Sequence, residues 1–188
     1  MGSLHDISII DADGVVRRAP YSELVATLEA GHREPPAACE RIVYGPADDP
    51  RRFLALPAWQ TAGDDGGAIG IKLVTVFPDN PASGRPSVQA VVLLFDGLTG
   101  EPVAMLDGTE LTYRKTAADS ALGSKLLSRP DARTLLMVGA GGLAPHLIEA
   151  HRAVRPSIDR VLVWNRTADK AEALVAAGIA DELIGRTG

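Results

Sequence analysis

The chain has 188 residues, a net charge of −5 and 46% hydrophobic residues, which is enough to bury one sizeable core or two small ones. The acidic balance, without any block of basic residues, argues against a nucleic-acid partner. A single cysteine excludes an internal disulfide framework, and we expect no metal site, no membrane span and a cytoplasmic location.

Apolar periodicity divides the first part of the chain into helices and short strands. A helix is predicted over residues 20–31, and residues 33–50 are expected to be largely irregular. Strands are predicted at 41–44, 53–56, 71–77, 88–95 and 102–106, the last two as a hairpin across residues 96–100. Pro57 is expected to end its strand, and Thr61 to Gly67 to form a polar, glycine-rich loop.

Lys72 lies inside a predicted strand, on the same face as Val74 and Val76. A charge on an apolar face is unfavourable unless it is paired or hydrated. Two interpretations stay open on this spacing: Lys72 lines a substrate pocket as an acid or base, or it is a strand-edge lysine that extends to water.

A second helix is predicted from Thr112 to Leu127, with Thr112 as its cap. Arg114 and Lys115 would then lie in the first turn, where free N–H groups and two cations could bind a carboxylate or phosphate. The alternative is a solvated pair of side chains. Arg41 is a third cation, and the pattern alone gives it no specific role.

A glycine turn follows the apolar strand Leu135 to Val138. Gly139 permits a tight turn, Gly141 leaves room for a pyrophosphate, and Ala144 lets the next helix pack close to the strand. The helix N-terminus would face the phosphates. This order predicts the start of a dinucleotide-binding fold, against the alternative of a glycine turn without a ligand.

The predicted strand that begins at Val161 ends with Asn165 and Arg166. Many such folds carry an acid at this position, and the acid selects NAD. Asn165, Arg166 and Thr167 offer donors and a positive charge, which favours the 2′-phosphate of NADP(H) over NAD(H). The alternative is a capped helix start with a solvated arginine.

The fold class is therefore predicted to be α/β. A strand-rich α+β domain would span residues 1–131, and the first part of a Rossmann domain residues 132–188. Too few residues follow Ala144 to complete such a domain. We expect a fragment, or an edge at residues 135–138 that a partner covers, and no catalytic activity from this chain alone.

The chain resembles the ornithine cyclodeaminase/μ-crystallin family. The matching segments follow the family's order: Arg41, Leu56 to Ala58, Gly70 to Pro81, Leu98 to Gly100, Leu106 to Gly108, Leu111 to Ala118 and Val138 to Ala144. The resemblance implies a homodimer with an N-terminal substrate domain and a Rossmann domain for NAD(P).

The resemblance also implies roles for single residues. Arg41 would bind the substrate carboxylate, and Lys72 would be the active-site lysine. The family's second carboxylate-binding arginine corresponds to Lys115 here, with Arg114 one position earlier, and a lysine cannot form the bidentate fork of an arginine. The residues expected to bind the cofactor are Thr116, Gly139, Gly141, Gly142, Leu143, Ala144, Asn165, Arg166 and Thr167.

The expected function is NADP(H)-dependent reduction of a cyclic imine carboxylate, as in the conversion of Δ1-pyrroline-2-carboxylate to L-proline. One alternative is an NAD-dependent ornithine cyclodeaminase, which converts L-ornithine to L-proline and ammonia. Another is a crystallin-like protein that binds NADP or a small ligand without catalysis. For all three functions, the expected small-molecule partner is a cyclic imine or an amino acid.

Overall fold

The structure, a computed structural model, describes residues 7–33, 40–60 and 67–184. The chain forms two compact units, one of residues 1–18 and 31–112, the other of residues 19–30 and 113–188. This grouping differs from the predicted boundary between residues 131 and 132. The predicted loop from Thr61 to Gly67 lies almost entirely outside the described residues, as does part of the irregular stretch 33–50.

The first unit contains a six-stranded sheet. Its strands are β1 (Ser8–Ile10), β2 (Ile42–Tyr44), β3 (Arg52–Gln60), β4 (Ala68–Val76), β5 (Val88–Asp96) and β6 (Pro102–Asp107). The order across the sheet is β1-β6-β5-β4-β3-β2, and neighbours are antiparallel except for the parallel pair β1 and β6. Five of the six strands were predicted, because each shows apolar alternation or a clear turn boundary.

The strand β1 and the helix α1 (Ala12–Arg18) were not predicted. A three-residue strand is too short to show a period, and the helix has only two turns. The signal that could have found α1 is Asp11, whose Oδ1 accepts the N–H of Gly14 at 2.8 Å as a helix cap.

Pro57 does not end β3, which continues to Gln60, so that prediction was wrong. β2 pairs with β3 only at residues 53–55, whereas β4 pairs along its whole length. Within the described residues Pro57 therefore lies where β3 has a neighbour on one side only, and a proline is tolerated at such an edge position.

The helix α3 (Gly108–Leu127) begins one turn before the predicted start at Thr112. The cap is Asp107, whose Oδ1 accepts the N–H of Glu110 at 2.7 Å. A Cβ at residue 108 would lie 2.7 Å from the backbone of Ala90 and Val91, so this start requires glycine. The predicted Thr112 cap was wrong, and Arg114 and Lys115 lie beyond the first turn and its free N–H groups.

The second unit contains three parallel strands, β7 (Thr134–Val138), β8 (Arg160–Trp164) and β9 (Glu182–Leu183), in the order β7-β8-β9. The helices α4 (Ala144–Val154) and α5 (Ala168–Ala176) connect them. Parallel strands joined by helices are the repeating unit of a doubly wound sheet, and this unit confirms the predicted α/β class. In the described part of the chain β7 pairs with β8 alone, and Val138 is 67% exposed.

Two apolar clusters stabilise the second unit. One packs β7 and β8 against α4 and α5 around Ile148, Val161 and Val163. The other joins α4 to α3 and to α2 (Tyr21–Arg33) through Tyr21, Val25 and the small residues of α3. Alanines at 117, 118 and 121 are fully buried, as expected where helix backbones approach closely.

None of the helices in the described ranges combines the length and apolar character that a membrane crossing requires.

The β5–β6 turn provides a test of pH-dependent stability. Hydrogen bonds from the Thr99 N–H, the Thr99 hydroxyl and the Leu98 N–H, in that order of importance, hold the pKa of Asp96 below its ordinary value of 3.8. The charged form is thus favoured by folding. This contribution is present above the ordinary pKa and is lost as pH falls through the lower folded pKa.

We expect Asp96→Asn to lower the melting temperature at pH 7, because the amide keeps the acceptor oxygen but not its charge. The gap between wild type and variant should narrow as pH falls below about 4. Thermal melts of both proteins between pH 7 and 2.5 measure the difference in melting temperature. A gap that does not change with pH would contradict the role given to the charge.

Candidate functional site

The glycine turn after β7 is held by the end of β8. Gly139 has φ of 111°, a conformation that favours glycine. Its N–H donates to the Trp164 carbonyl at 2.7 Å, and the next N–H, of Ala140, donates to Asn165 Oδ1 at 3.1 Å. The turn therefore leaves the sheet in a fixed direction.

The three residues after Ala140 are Gly141, Gly142 and Leu143, and their N–H groups donate to no acceptor within the described residues. A Cβ at Gly141 would meet nothing within 4 Å. Ala144, which starts α4, is only 3% exposed and packs into the sheet cluster. Free N–H groups beside a helix N-terminus are suited to an anion.

Gly142 lies against an aromatic residue that was not predicted as a site residue. A Cβ at position 142 would come 3.1 Å from the hydroxyl oxygen of Tyr113. The Tyr113 ring stacks on His146 of α4, with centroids 5.0 Å apart. No periodicity in the sequence could have revealed this contact, because the residues are distant along the chain.

Of the three residues that follow β8, the first is hydrogen-bonded to the glycine turn and the next two are exposed. Asn165 uses both ends of its amide, since Oδ1 accepts from Ala140 and Nδ2 donates to the Thr167 carbonyl at 2.7 Å. Arg166 and Thr167 are exposed. In the described ranges no acid or carbonyl group pairs with the Arg166 guanidinium.

Lys72 lies on β4, which is paired on both sides, so it is not a strand-edge lysine. Its partners across the sheet are Leu56 and Val92. The ammonium donates to Thr112 Oγ1 at 3.3 Å, and the Thr112 hydroxyl donates to the Gly108 carbonyl at 2.5 Å. Lys72 is partly buried and is held against the first turns of α3.

Arg41 is exposed and directly precedes β2. Ile42 pairs with Ala55, so continuing this antiparallel register by one residue would set Arg41 opposite Leu56, the partner of Lys72. Strands lie about 4.8 Å apart, and the two cations would then share one face about 10 Å apart at the backbone.

Arg114 and Lys115 have different surroundings. Arg114 is 3% exposed, donates from Nε to the Ala19 carbonyl at 2.8 Å, and lies 4.0 Å over the Tyr21 ring. Lys115 is exposed and forms an ion pair with Asp119. The next residue, Thr116, is also exposed.

The model of the ornithine cyclodeaminase/mu-crystallin family matches residues 18–182. A Δ1-pyrroline-2-carboxylate reductase of Paracoccus denitrificans is 40% identical over 90% of this chain and 51% of that protein. The Arabidopsis thaliana protein SAR DEFICIENT 4 is 44% identical over 66% of this chain and 38% of that protein.

Among solved structures, the Thermococcus litoralis Δ1-pyrroline-2-carboxylate reductase in complex with NADH and L-proline has a TM-score of 0.82. It is 24% identical, with 96% of this chain and 58% of that chain covered, and so supports the fold. The chain spans about half the length of the Paracoccus relative.

The contrast between Arg114 and Lys115 gives a matched pair of variants. Arg114→Ala should lower the free energy of unfolding by about 2–4 kcal/mol, because the partly buried Ala19 carbonyl and the buried Tyr21 ring lose their cation. Lys115→Ala should change it by less than about 0.5 kcal/mol, as is usual for an exposed ion pair. Urea denaturation measures both. Unchanged stability in Arg114→Ala would show that Arg114 is not a structural residue.

Proposed function

We propose that this chain, which belongs to the ornithine cyclodeaminase/mu-crystallin family, acts in the NADPH-dependent reduction of a cyclic imine carboxylate of the Δ1-pyrroline-2-carboxylate type. The observation that carries the proposal is the 40% identity to the Paracoccus reductase over 90% of this chain. A homodimer and a cytoplasmic location are part of the proposal and rest on the resemblance to the family.

The glycine turn fits a dinucleotide. Three N–H groups without acceptors in the described residues, at Gly141, Gly142 and Leu143, would hold the pyrophosphate at the N-terminus of α4. The open space at Gly141 allows phosphate oxygens to approach the backbone. When bound, a nicotinamide dinucleotide supplies a hydride.

NADPH is proposed over NADH because of the residues after β8. Arg166 is exposed, carries no partner within the described ranges, and can turn its guanidinium to a 2′-phosphate. Asn165 replaces the acid that would repel this phosphate. Its amide is engaged in bracing the turn, so we assign recognition of the phosphate to Arg166 and Thr167.

The substrate carboxylate would be held by Arg41, which the register supports as a neighbour of Lys72 on one sheet face. The second cation is proposed to be Lys115, since Arg114 is buried on Ala19 and Tyr21. The Lys115 ion pair with Asp119 is exposed and can rearrange at small cost.

Lys72 is proposed to act at the imine. Its ammonium is held by Thr112 and could donate a proton or hydrogen bond to the imine nitrogen, which raises the electrophilicity of the adjacent carbon. Thr112 accepts from the ammonium and donates to the Gly108 carbonyl, so the position of Lys72 Nζ is tied to the first turn of α3.

The natural protein, supplied with Δ1-pyrroline-2-carboxylate and NADPH, should oxidise NADPH and form L-proline in equal amounts. Ammonia release from L-ornithine without net cofactor consumption would instead identify a cyclodeaminase. Binding of the dinucleotide without turnover of either substrate would identify a non-catalytic binding protein.

Arg166→Asp in the natural protein should weaken NADPH binding by about 1.5–3 kcal/mol, the range for a hydrogen bond to a charged group. Fluorescence titration measures it. Arg160→Asp is the control, since Arg160 lies at the other end of β8 and pairs with Glu182 at the surface. Equal effects in the two variants would reject a specific contact with the 2′-phosphate.

Lys72→Ala should lower kcat by about 10²-fold or more, as expected for loss of an acid or base, and leave NADPH affinity nearly unchanged. Lys125→Ala is the control, because Lys125 is an exposed lysine paired with Glu29. If kcat of Lys72→Ala stays within about threefold of wild type, Lys72 is a structural residue of the sheet.

A further inference from the structure

The side chain of Tyr113 is aimed at the glycine turn. Its hydroxyl oxygen lies 3.1 Å from the point where a Cβ of residue 142 would stand. Gly142 does not have a positive φ, so the backbone conformation does not require glycine there. The Tyr113 hydroxyl is the atom nearest to that point, and a methyl group at residue 142 would require it to move by a few tenths of an ångström.

The Tyr113 ring is held in place by residues of three helices of the second unit. It stacks on His146 with an angle of 15° between the rings. His146 Nδ1 is hydrogen-bonded to the Tyr21 hydroxyl at 3.0 Å, and Tyr21 is 3% exposed beneath the Arg114 guanidinium. An aromatic ring fixed in this way loses little entropy when it binds a ligand.

The Tyr113 hydroxyl itself has no hydrogen-bond partner among the described residues. The hydroxyl oxygen is not enclosed by the described residues, so a ligand on the turn can reach it. The hydroxyl instead lies beside Gly142, one of the three residues whose N–H groups also lack an acceptor. The Tyr113 hydroxyl thus lies at a residue whose backbone N–H also has no acceptor within the described residues.

We propose that Tyr113 belongs to the dinucleotide site and donates a hydrogen bond from its hydroxyl to the pyrophosphate of the bound cofactor. This rests on the proposed function, because it needs a dinucleotide on the glycine turn. A pyrophosphate offers several anionic acceptor oxygens, and a phenol donates well to such oxygens. Tyr113 therefore adds a side-chain donor to a site otherwise made of backbone N–H groups.

The test is Tyr113→Phe in the natural protein, a change that keeps the ring on His146 and removes the hydroxyl. Three ligands are titrated: NADPH, 2′-phospho-ADP-ribose, which keeps the pyrophosphate without nicotinamide, and adenosine 2′-monophosphate, which has no pyrophosphate. We expect binding of the first two to weaken by about tenfold and binding of the third to stay within about twofold.

Tyr21→Phe is the matched control, since it removes a hydroxyl from the same aromatic cluster but not from the turn. It should leave the affinity for all three ligands within about twofold of wild type. Equal weakening in both variants would mean that loosening of the cluster is responsible, and would overturn the proposal. So would an unchanged Tyr113→Phe, or a loss confined to NADPH.

A second variant tests the same contact if Tyr113→Phe does not fold, as judged by the absence of a cooperative melting transition. Gly142→Ala should displace the Tyr113 hydroxyl, because the new methyl group would lie 3.1 Å from it, and so weaken 2′-phospho-ADP-ribose. Unchanged affinity in Gly142→Ala would overturn the proposal. A wild-type protein that binds no dinucleotide at all would instead reject the proposed function, which separates the two failures.

Discussion

The contact between Gly108 and the backbone of β5 is the constraint on which the candidate sites depend. Because glycine has no Cβ, residue 108 can lie directly against the backbone of β5, where a Cβ would have no room. The helix α3 therefore starts against the sheet, and Asp107 caps it there. The start of the helix sets the phase of every residue after it. Thr112 falls one turn later, where it meets Lys72, and Arg114 falls on the buried side, against Tyr21.

The burial of Arg114 separates two adjacent cations into different roles. A guanidinium stays charged when it is buried, so it needs acceptors and a polarisable surface. The Ala19 carbonyl and the face of Tyr21 provide them. Lys115 is exposed and, within the described ranges, pairs with Asp119 at the surface, so only Arg114 is fixed in the core. Sequence alone left the two alternatives open because the predicted start at Thr112 put both cations in the first turn, where free N–H groups remain.

Much of the fold could be predicted from local sequence patterns, and each wrong or missed prediction has a physical cause. The strands around Lys72 and the order strand, glycine turn, helix were predicted because apolar runs and glycines encode them. Pro57 was misjudged because a local rule ignores which side of a strand is paired. Tyr113 was missed because its role depends on packing between residues far apart in the chain, which no short pattern reports.

The candidate nucleotide site has one part proposed to bind the pyrophosphate and another proposed to distinguish NADPH from NADH. Asn165 is hydrogen-bonded to both parts. The N–H groups of the turn can hold the pyrophosphate of any dinucleotide. Arg166, on the exposed surface, could distinguish a 2′-phosphate. Asn165 accepts from Ala140 in the turn and donates to the Thr167 carbonyl. An aspartate at 165 could still accept from Ala140 but could not donate to Thr167. A change toward NADH at this residue would therefore also loosen the segment that carries Arg166, so cofactor choice and the geometry of the turn are coupled through one side chain.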